Sequence, residues 1–394
     1  MYIMQPRLRD AKAITTEEIY TVRTRELLVY LLIATSILPP AFAQDVAAPA
    51  PARRSVAERE AAAAANASVR CNSITSYGEA QPTVDAPAPA TPLPPRKPAA
   101  AGSYPVPDAP MLPYQAVQTP PPPAGTKYVG VADVAVMPNS HLLVFQRSAI
   151  NQLMEFDSDG KLLRSFADNI AAQAHGLRLD RHGNIWLTDI VCNTVMKLDQ
   201  EGHVLMTIGT KGKTGTWDEA SGQHVFNQPN DVAFGPKDDI WVVTGHGGSD
   251  PRVLHFDKNG KYITSWSMKH ADGSNATIHS IVLDKKGDLY IADRTANQII
   301  VMDQQGKRLS TIQMKNQVGG LFVDSKGGLW MAAGQDGMIF KLDWDGKVTG
   351  WTGSTGYGPN QYTEVHYIAV SPDLKTIYVA DSLGDRLDKL QRTN

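Results

Sequence analysis

The chain has 394 residues, of which 42% are hydrophobic and 20% charged, and its formal net charge at pH 7 is −2. This near balance provides no basic surface of the kind that binds nucleic acid or anionic lipid, so we predict no nucleic-acid partner. The length suits one large domain or two smaller ones.

The first 43 residues have the features of a signal peptide. Arg23 and Arg25 precede an apolar run over residues 27–38, and an Ala-x-Ala cleavage site follows at residues 41–43. The apolar run is shorter than the ~20 residues that span a bilayer. We therefore predict cleavage, no stable membrane span afterwards, and a periplasmic or secreted protein. Residues 1–22 precede the basic pair, so translation could start after them.

Residues 44–125 are dominated by alanine and proline, as in APAPATPLPPRKPAAAG. Such a segment buries too little apolar surface to offset the entropy of ordering it, which predicts a disordered tether. Cys71 lies in this segment, whereas Cys192 lies in the region that follows it. Because the two cysteines have such different surroundings, we expect no disulfide between them.

From residue 126 to residue 394 the sequence repeats about every 45 residues. Each full copy has four short apolar strands joined by Asp-x-x-Gly-like turns, and the repeat resembles the NHL type. Six copies predict an all-β, six-bladed β-propeller over residues 126–394. The last copy has three strands, so we expect residues 126–131 to supply the fourth strand and close the ring.

The first strand of each propeller blade lies innermost, so its first residue faces the axial channel. Alignment of the copies places six residues there, in order: Ala132, His175, Asn230, His279, Gly319 and His366. Histidines on alternate blades bring three imidazoles to one height, about 120° apart. Three such nitrogens with an open fourth position are typical of catalytic zinc, so we predict that these histidines bind zinc or another divalent transition metal. The alternative is that each histidine caps a strand entrance and hydrogen-bonds a neighbouring backbone.

At these histidines the sequence resembles the catalytic domain of peptidyl-α-hydroxyglycine α-amidating lyase. The matching runs lie within residues 126–391 and read HGLRLDRHGNIWLTD, HVFNQPNDVAFGP, IHSIVLDKKGDLYIADR and EVHYIAV. The resemblance implies a six-bladed propeller with zinc on three histidines, a structural calcium, and an arginine and a tyrosine beside the zinc. It also implies cleavage of a peptidyl-α-hydroxyglycine into a peptide amide and glyoxylate.

Residue by residue, the resemblance assigns the zinc ligands to the three axial histidines and the arginine to Arg147. A planar guanidinium suits a substrate carboxylate or a developing oxyanion, although Arg147 could instead pack on Phe145 and point to water. The family's tyrosine is replaced by His246, which could carry a proton near neutral pH. The glycines around His246 are also compatible with a mobile surface turn. We predict Arg147 and His246 as catalytic residues.

Two other features of the family are altered in this sequence. The acidic calcium ligand that follows the third zinc histidine is replaced by Tyr367. Asp133 could substitute for it, so a calcium site is possible but doubtful. The cysteine pair of animal members falls at Asn227 and Gly247, so that disulfide is absent.

Three functions fit these features. The first is an exported metal-dependent lyase that cleaves the C–N bond of an α-hydroxyglycine-type carbinolamide. The second is a metal-dependent hydrolase or lactonase that uses the same site. The third is a non-catalytic envelope scaffold whose propeller rim binds a protein partner. An enzyme would act on a small-molecule or peptide substrate, and only the enzymes need three histidines in the channel.

Overall fold

The structure is a computed structural model, and it describes Cys71 and residues 104–393. The predicted signal peptide and most of the predicted tether lie outside these described residues. Among the described residues, no helix has both the length and the apolar character needed to span a membrane.

The described chain is all-β and forms six antiparallel sheets, as predicted, and we number these blades 1 to 6 in chain order. Blade 1 contains β2 (Val131–Val136), β3 (Leu142–Gln146), β4 (Leu153–Phe156) and β5 (Leu162–Phe166). Blade 2 contains β6 (Ala174–Leu179), β7 (Ile185–Asp189), β8 (Thr194–Leu198) and β9 (Val204–Ile208). Blade 3 contains β10 (Pro229–Phe234), β11 (Ile240–Thr244), β12 (Arg252–Phe256) and β13 (Tyr262–Ser267).

The second half of the ring repeats this pattern, with one additional strand in blade 5. Blade 4 contains β14 (Ile278–Leu283), β15 (Leu289–Asp293), β16 (Gln298–Met302) and β17 (Arg308–Gln313). Blade 5 contains β18 (Leu321–Val323), β19 (Leu329–Ala332), β20 (Met338–Leu342), β21 (Val348–Thr355) and the short parallel β22 (Gln361–Tyr362). Blade 6 contains β23 (Val365–Val370), β24 (Thr376–Asp381), β25 (Arg386–Arg392) and β1 (Tyr114–Val117).

The first strand of each blade contacts the first strand of the next, and β23 contacts β2, which closes the ring around the axis. Six of the clusters of buried apolar side chains are each shared by two neighbouring blades. Leu143 and Leu187, for example, pack between blades 1 and 2. The inner strands of each blade are therefore buried on both faces, whereas the outermost strands such as β5 and β9 are partly exposed.

The Asp-x-x-Gly turns explain why the strands end where they do. In the turn between β4 and β5, one carboxylate oxygen of Asp157 accepts hydrogen bonds from the backbone N–H groups of Asp159 and Lys161, at 3.0 and 2.9 Å. Gly160 completes the turn with a φ of +85°, a conformation that side chains disfavour.

The strand that closes the ring differs from the expected one. Residues 126–131 do not supply it; β1 pairs antiparallel with β25, with Tyr114 opposite Arg392. A four-stranded blade is about 15 Å wide, and Val131 already begins the innermost strand of blade 1, so the outer strand must come from further upstream. Residues 118–130 make the connection, and the folded domain therefore begins before residue 126.

The expectation about the cysteines is wrong, because Cys71 and Cys192 form a disulfide with a Cα–Cα distance of 5.4 Å. Both cysteines are buried and pack with Ala172. The prediction relied on the different sequence surroundings of the two cysteines. Such a difference does not exclude a disulfide, because one covalent bond can hold a segment with little core of its own against a blade. Cys192 lies in the turn between β7 and β8 of blade 2.

Candidate metal centre

Five of the six axial positions lie at irregularities of the innermost strands, and the sixth, Gly319, precedes β18. β14 pairs with β15 through Ile278 and Ser280, but not through the intervening His279. The same interruption occurs at His366 and, over two residues, at His175. A bulge bends the strand and turns a side chain out of the regular alternation. This local geometry directs the three imidazoles towards the axis.

The three histidines form a nearly equilateral triangle. The ring centroid of His175 lies 4.8 Å from that of His279 and 4.7 Å from that of His366, and His279 lies 4.8 Å from His366. One candidate ligand atom from each ring lies within 4.8 Å of the other two. All three side chains are buried, which confirms the predicted convergence of alternate blades.

Two of the imidazoles are oriented by the backbone of the following blade. Nδ1 of His175 lies 2.8 Å from the carbonyl oxygen of Asn230, and Nδ1 of His366 lies 2.6 Å from that of Ala132. These carbonyls accept the Nδ1 proton, which leaves the Nε2 lone pair directed into the cluster. Gly176 permits the first of these contacts, because a Cβ there would lie 2.7 Å from the carbonyl oxygen of Asn230.

The donor set fits a bound transition metal. Among the described residues, Nε2 of each histidine is buried without a hydrogen-bond partner, and so is Nδ1 of His279. A buried polar atom without a partner costs about 1–3 kcal/mol, and a metal ion would satisfy one such atom on each ring. Three imidazole nitrogens with an open position match a catalytic zinc site, so the three-histidine cluster could bind a metal.

Burial and neighbouring positive charge keep these histidines neutral. Burial lowers the pKa of His175 well below its usual range, and the charge of Arg147 acts in the same direction. Burial likewise lowers the pKa of His279, and it lowers the pKa of His366 to about 3 even though Glu364 opposes the shift. Neutral imidazole is the form that binds a metal, so at pH 7 metal would not have to displace protons.

His246 lies beside the triangle. Its ring centroid is 4.7 Å from that of His175 and 5.5 Å from that of His279. The loop is held by hydrogen bonds from the N–H of Gly245 to Asn227 and from the N–H of Gly247 to the Gln228 side chain, at 2.9 and 2.8 Å. Burial lowers the pKa of His246 to about 3, with the charge of Arg294 acting in the same direction. His246 thus faces the cluster from an anchored loop, and its catalytic role stays a prediction.

Arg147 follows β3 and points towards the cluster rather than towards bulk water. Its Nε lies 3.4 Å from the carbonyl oxygen of Ala174, which precedes His175. Its charge is close enough to lower the pKa of His175, His246 and His366. Gly130 makes room for the side chain, because a Cβ there would lie 3.0 Å from Cδ of Arg147. The position suits recognition of an anionic group, and this role also stays a prediction.

Sequence reasoning missed two charged residues at the same end of the channel. The guanidinium of Arg294 forms an ion pair with Glu364, and Ser382 donates its hydroxyl to the same carboxylate. Burial acts to raise the pKa of Glu364, but Arg294 and the other nearby groups outweigh it and lower this pKa to about 2. The repeat contained a signal for Arg294, since it follows the second strand of blade 4 as Arg147 follows the second strand of blade 1.

Tyr367 and Asp133, the residues considered for calcium, lie one step further along the channel. The ring of Tyr367 stacks on that of His279 at 5.5 Å and lies under the guanidinium of Arg178 at 4.9 Å. Burial raises the pKa of Asp133, whereas the charge of Arg178 acts in the opposite direction and favours the carboxylate form. This part of the channel therefore contains an aromatic ring and a cation.

The remaining histidines lie outside the channel and have carboxylate neighbours. His255 stacks on Trp241 and bonds to Asp239 at 2.7 Å, and His224 lies 3.2 Å from Glu219. Among the described residues, the structure records no contact between these histidines and the three-histidine cluster.

Comparison with known proteins confirms the resemblance over part of the chain. A peptidylglycine alpha-amidating monooxygenase of Rattus norvegicus is 32% identical over 151 residues, which are 36% of this chain and 15% of that protein. A probable peptidyl-alpha-hydroxyglycine alpha-amidating lyase of Caenorhabditis elegans is 29% identical over 202 residues, 44% of this chain and 56% of that protein. NHL repeat-containing protein 3 of Homo sapiens is 27% identical over 169 residues, 39% and 46% of the two chains.

The chain thus spans less than two thirds of the length of each of these relatives, two of which carry the names of enzymes. No protein-family model matches the chain. A solved structure of a streptogramin B lyase superposes with a TM-score of 0.50 at 15% identity, over 68% of this chain and 95% of that one. At this identity the likeness confirms the propeller fold alone.

Proposed function

We propose that this protein is an exported, metal-dependent lyase that cleaves the C–N bond of an α-hydroxyglycine-type carbinolamide. The observation that carries the proposal is the buried triangle of His175, His279 and His366, whose unpartnered nitrogens converge on one point. The partial similarity to amidating enzymes supports this choice of reaction over others. A scaffold would have no use for three buried imidazoles without partners.

Zinc, or another divalent transition metal bound by the three histidines, would polarise a substrate oxygen and lower the pKa of its hydroxyl group. His246 is neutral at pH 7, so a ring nitrogen could accept the hydroxyl proton once the pKa of that hydroxyl is lowered. The low pKa of His246 makes it a weak base, but it would favour passing the proton on to the leaving nitrogen. As the carbonyl of glyoxylate forms, the C–N bond breaks and the electron pair goes to nitrogen. The same proton is then delivered to that nitrogen, which gives the peptide amide, so atoms and charge balance without an oxidant.

Arg147 provides the positive charge for the substrate carboxylate. Its charge acts on His175, His246 and His366 together, so its position relative to them is suitable for holding the carboxylate of the α-hydroxyglycine unit. A planar guanidinium can bind a carboxylate through two parallel hydrogen bonds. We assign substrate recognition to Arg147 rather than to Arg294 because Arg147 occupies the position that the resemblance gives to the family's arginine.

A hydrolase that uses the same centre is the second candidate, and His246 favours it. The family's tyrosine is replaced by an imidazole, which also suits activation of water for attack on an ester or a lactone. In that reaction Arg147 would hold the oxyanion.

We also propose that the protein acts in an oxidising compartment, the periplasm or the exterior of the cell. The Cys71–Cys192 disulfide supports this location, because such bonds persist in oxidising compartments and are rare in the cytosol.

The test is an assay of the zinc-loaded protein with an N-acyl-α-hydroxyglycine. A lyase releases glyoxylate and the corresponding amide in equal amounts, faster than the spontaneous reaction and not with the His279→Ala variant. A panel of simple esters and lactones runs in parallel. Turnover of the panel without glyoxylate release would favour the hydrolase, whereas no turnover of either class by zinc-loaded protein would contradict both enzymes.

A further inference from the structure

Arg178 is in contact with all five other blades of the propeller. It belongs to β6 of blade 2, three residues beyond His175, and only 14% of its side chain is exposed. Each of the other blades contributes one partner: Asp133 of blade 1 at 3.4 Å, Asp231 of blade 3 at 2.6 Å, Ser280 of blade 4 at 3.4 Å, the carbonyl of Leu321 of blade 5 at 3.3 Å, and the ring of Tyr367 of blade 6 at 4.9 Å.

The two carboxylates that face Arg178 are themselves fixed in place. Asp133 accepts hydrogen bonds from the backbone N–H groups of Val134 and Leu177, both at 2.7 Å. Asp231 accepts the hydroxyl of Ser280 at 2.6 Å. Both carboxylates are fully buried, and a buried charge without a partner would be strongly destabilising. The guanidinium is therefore the cation that this part of the channel requires.

Tyr367 connects this ionic cluster to the three histidines. Its hydroxyl donates a hydrogen bond to the carbonyl oxygen of His279 at 2.6 Å, and its ring centroid lies 4.9 Å from that of His366. Gly320 of blade 5 leaves the space for this ring, because a Cβ there would lie 2.7 Å from Cδ1 of Tyr367. Its ring also lies 5.8 Å from that of His175, so the tyrosine contacts all three histidines as well as Arg178.

We propose that Arg178 takes the place of the structural calcium that the resemblance implies, and that Arg178 and Tyr367 together position the three-histidine layer. The carboxylate expected for calcium after the third histidine is replaced by a tyrosine that donates its hydroxyl proton. A divalent ion entering here would have to displace the guanidinium from Asp133 and Asp231. Because the guanidinium contacts all five other blades, it can hold the blades together around the axis as an axial metal ion would.

The calcium part of the proposal is independent of the proposed function, and it is tested by thermal unfolding. The midpoint Tm of the native protein is expected to be the same in millimolar calcium and in excess EGTA. Arg178→Leu is expected to unfold several degrees lower, and calcium is expected to raise its Tm because two buried carboxylates then lack a counter-charge. Arg181→Leu is the matched control, since Arg181 lies in the same blade with 58% of its side chain exposed.

A clear rise in the Tm of the native protein with calcium would overturn this part. So would an Arg178→Leu variant as stable as Arg181→Leu. If Arg178→Leu does not fold, the native comparison still decides the calcium question. Arg178→Lys then tests the five-blade contact, because a lysine keeps the charge but cannot reach the same partners with one planar group. Its Tm is expected to fall, and a Tm equal to that of the native protein would contradict the proposal.

The positioning part rests on the proposed metal site, and zinc affinity tests it without any assay of catalysis. Tyr367→Phe removes only the hydroxyl that bonds to the backbone carbonyl oxygen of His279. Loss of a group that orients a metal ligand typically weakens metal binding by about 10–100-fold. Because this group holds the backbone of His279 and not its ring, we expect the lower end, a rise of roughly tenfold in the dissociation constant for zinc measured against a chromophoric chelator. Tyr362→Phe is the control, because Tyr362 is equally buried but bonds to Asn360 outside the channel. Equal zinc affinities in the two variants would remove the positioning role, whereas zinc binding absent from the native protein would refute the metal site itself.

Discussion

His175 and His366 come from blades 2 and 6, yet their ring centroids lie 4.7 Å apart and each ring is oriented by the carbonyl of the following blade. The orientation of the His366 imidazole therefore depends on closure of the ring, because its partner is Ala132 of blade 1, whereas that of His175 depends on the adjacent blade 3. The three-histidine cluster is a product of the whole propeller and cannot form within one blade.

The stability of the metal-free protein is expected to fall as the pH falls from about 6.5 to about 3. Burial lowers the pKa of His366 and His246 to about 3, whereas a histidine in the unfolded chain titrates near 6.5. Between these values the unfolded state binds protons that the folded state does not, so each such group reduces the unfolding free energy by up to about 1.4 kcal/mol per pH unit.

Urea unfolding of the metal-free protein at a series of pH values measures this slope. The variant with His175, His279 and His366 all changed to glutamine should show a clearly shallower decline over the same range. Parallel curves for the two proteins would mean that these histidines titrate normally in the folded state.

Replacement of His246 by glutamine should lower kcat by about 10²–10⁴-fold, which is the usual contribution of a proton-transferring side chain. Zinc content should be unchanged, because His246 lies outside the triangle of ligands. His246→Tyr, which restores the residue implied by the resemblance, should recover a large part of the activity. The control is His224→Gln at an exposed position. Full activity of His246→Gln on the best substrate would show that another group moves the proton.

Arg147→Met should raise KM for a carboxylate-bearing substrate by roughly 10–100-fold, since a hydrogen bond to a charged group contributes about 1.5–3 kcal/mol. The comparison uses the same substrate with its carboxylate converted to an amide, for which native protein and variant should have similar KM values. An equal loss for both substrates would contradict recognition of the carboxylate by Arg147 and indicate a general effect on the site.

Cys192→Ser should lower Tm by several degrees, because the disulfide closes a separation of 121 residues. In the chain-entropy treatment a loop of this size contributes about 5 kcal/mol, an upper figure for a bond that anchors a terminal segment. Thiol titration of denatured, unreduced native protein should find no free cysteine, since the chain has 2 cysteines in all. Detection of two free thiols in protein purified from an oxidising compartment would refute the bond.

The sequence could predict the ring and the histidines for one physical reason. A repeat that folds into equivalent blades places equivalent residues on one circle, so the alignment of His175, His279 and His366 is already spatial information. Arg294 could have been predicted in the same way, because it occupies in blade 4 the position that Arg147 occupies in blade 1.

Other contacts could not be obtained from the repeat, because they join positions that are not equivalent. The strand Tyr114–Val117 has too short a pattern to identify, and only the width of a blade requires it to lie upstream of residue 126. Arg178 looks like an outward residue of the alternating run GLRLD, and only the assembled ring shows five blades around its guanidinium. The disulfide likewise depends on where the chain before the propeller is held.

The most direct test of the central claim is the metal content of the purified protein, measured by elemental analysis after chelator-free purification and reconstitution with zinc. About one zinc per chain is expected in the native protein, and none in a variant in which His175, His279 and His366 are changed to alanine. The single variant His279→Ala is expected to lose zinc while keeping a metal-free Tm within a few degrees of the native value, because both nitrogens of His279 are unpartnered among the described residues. A native protein that binds no zinc after reconstitution, or a triple variant that retains it, would contradict the metal centre.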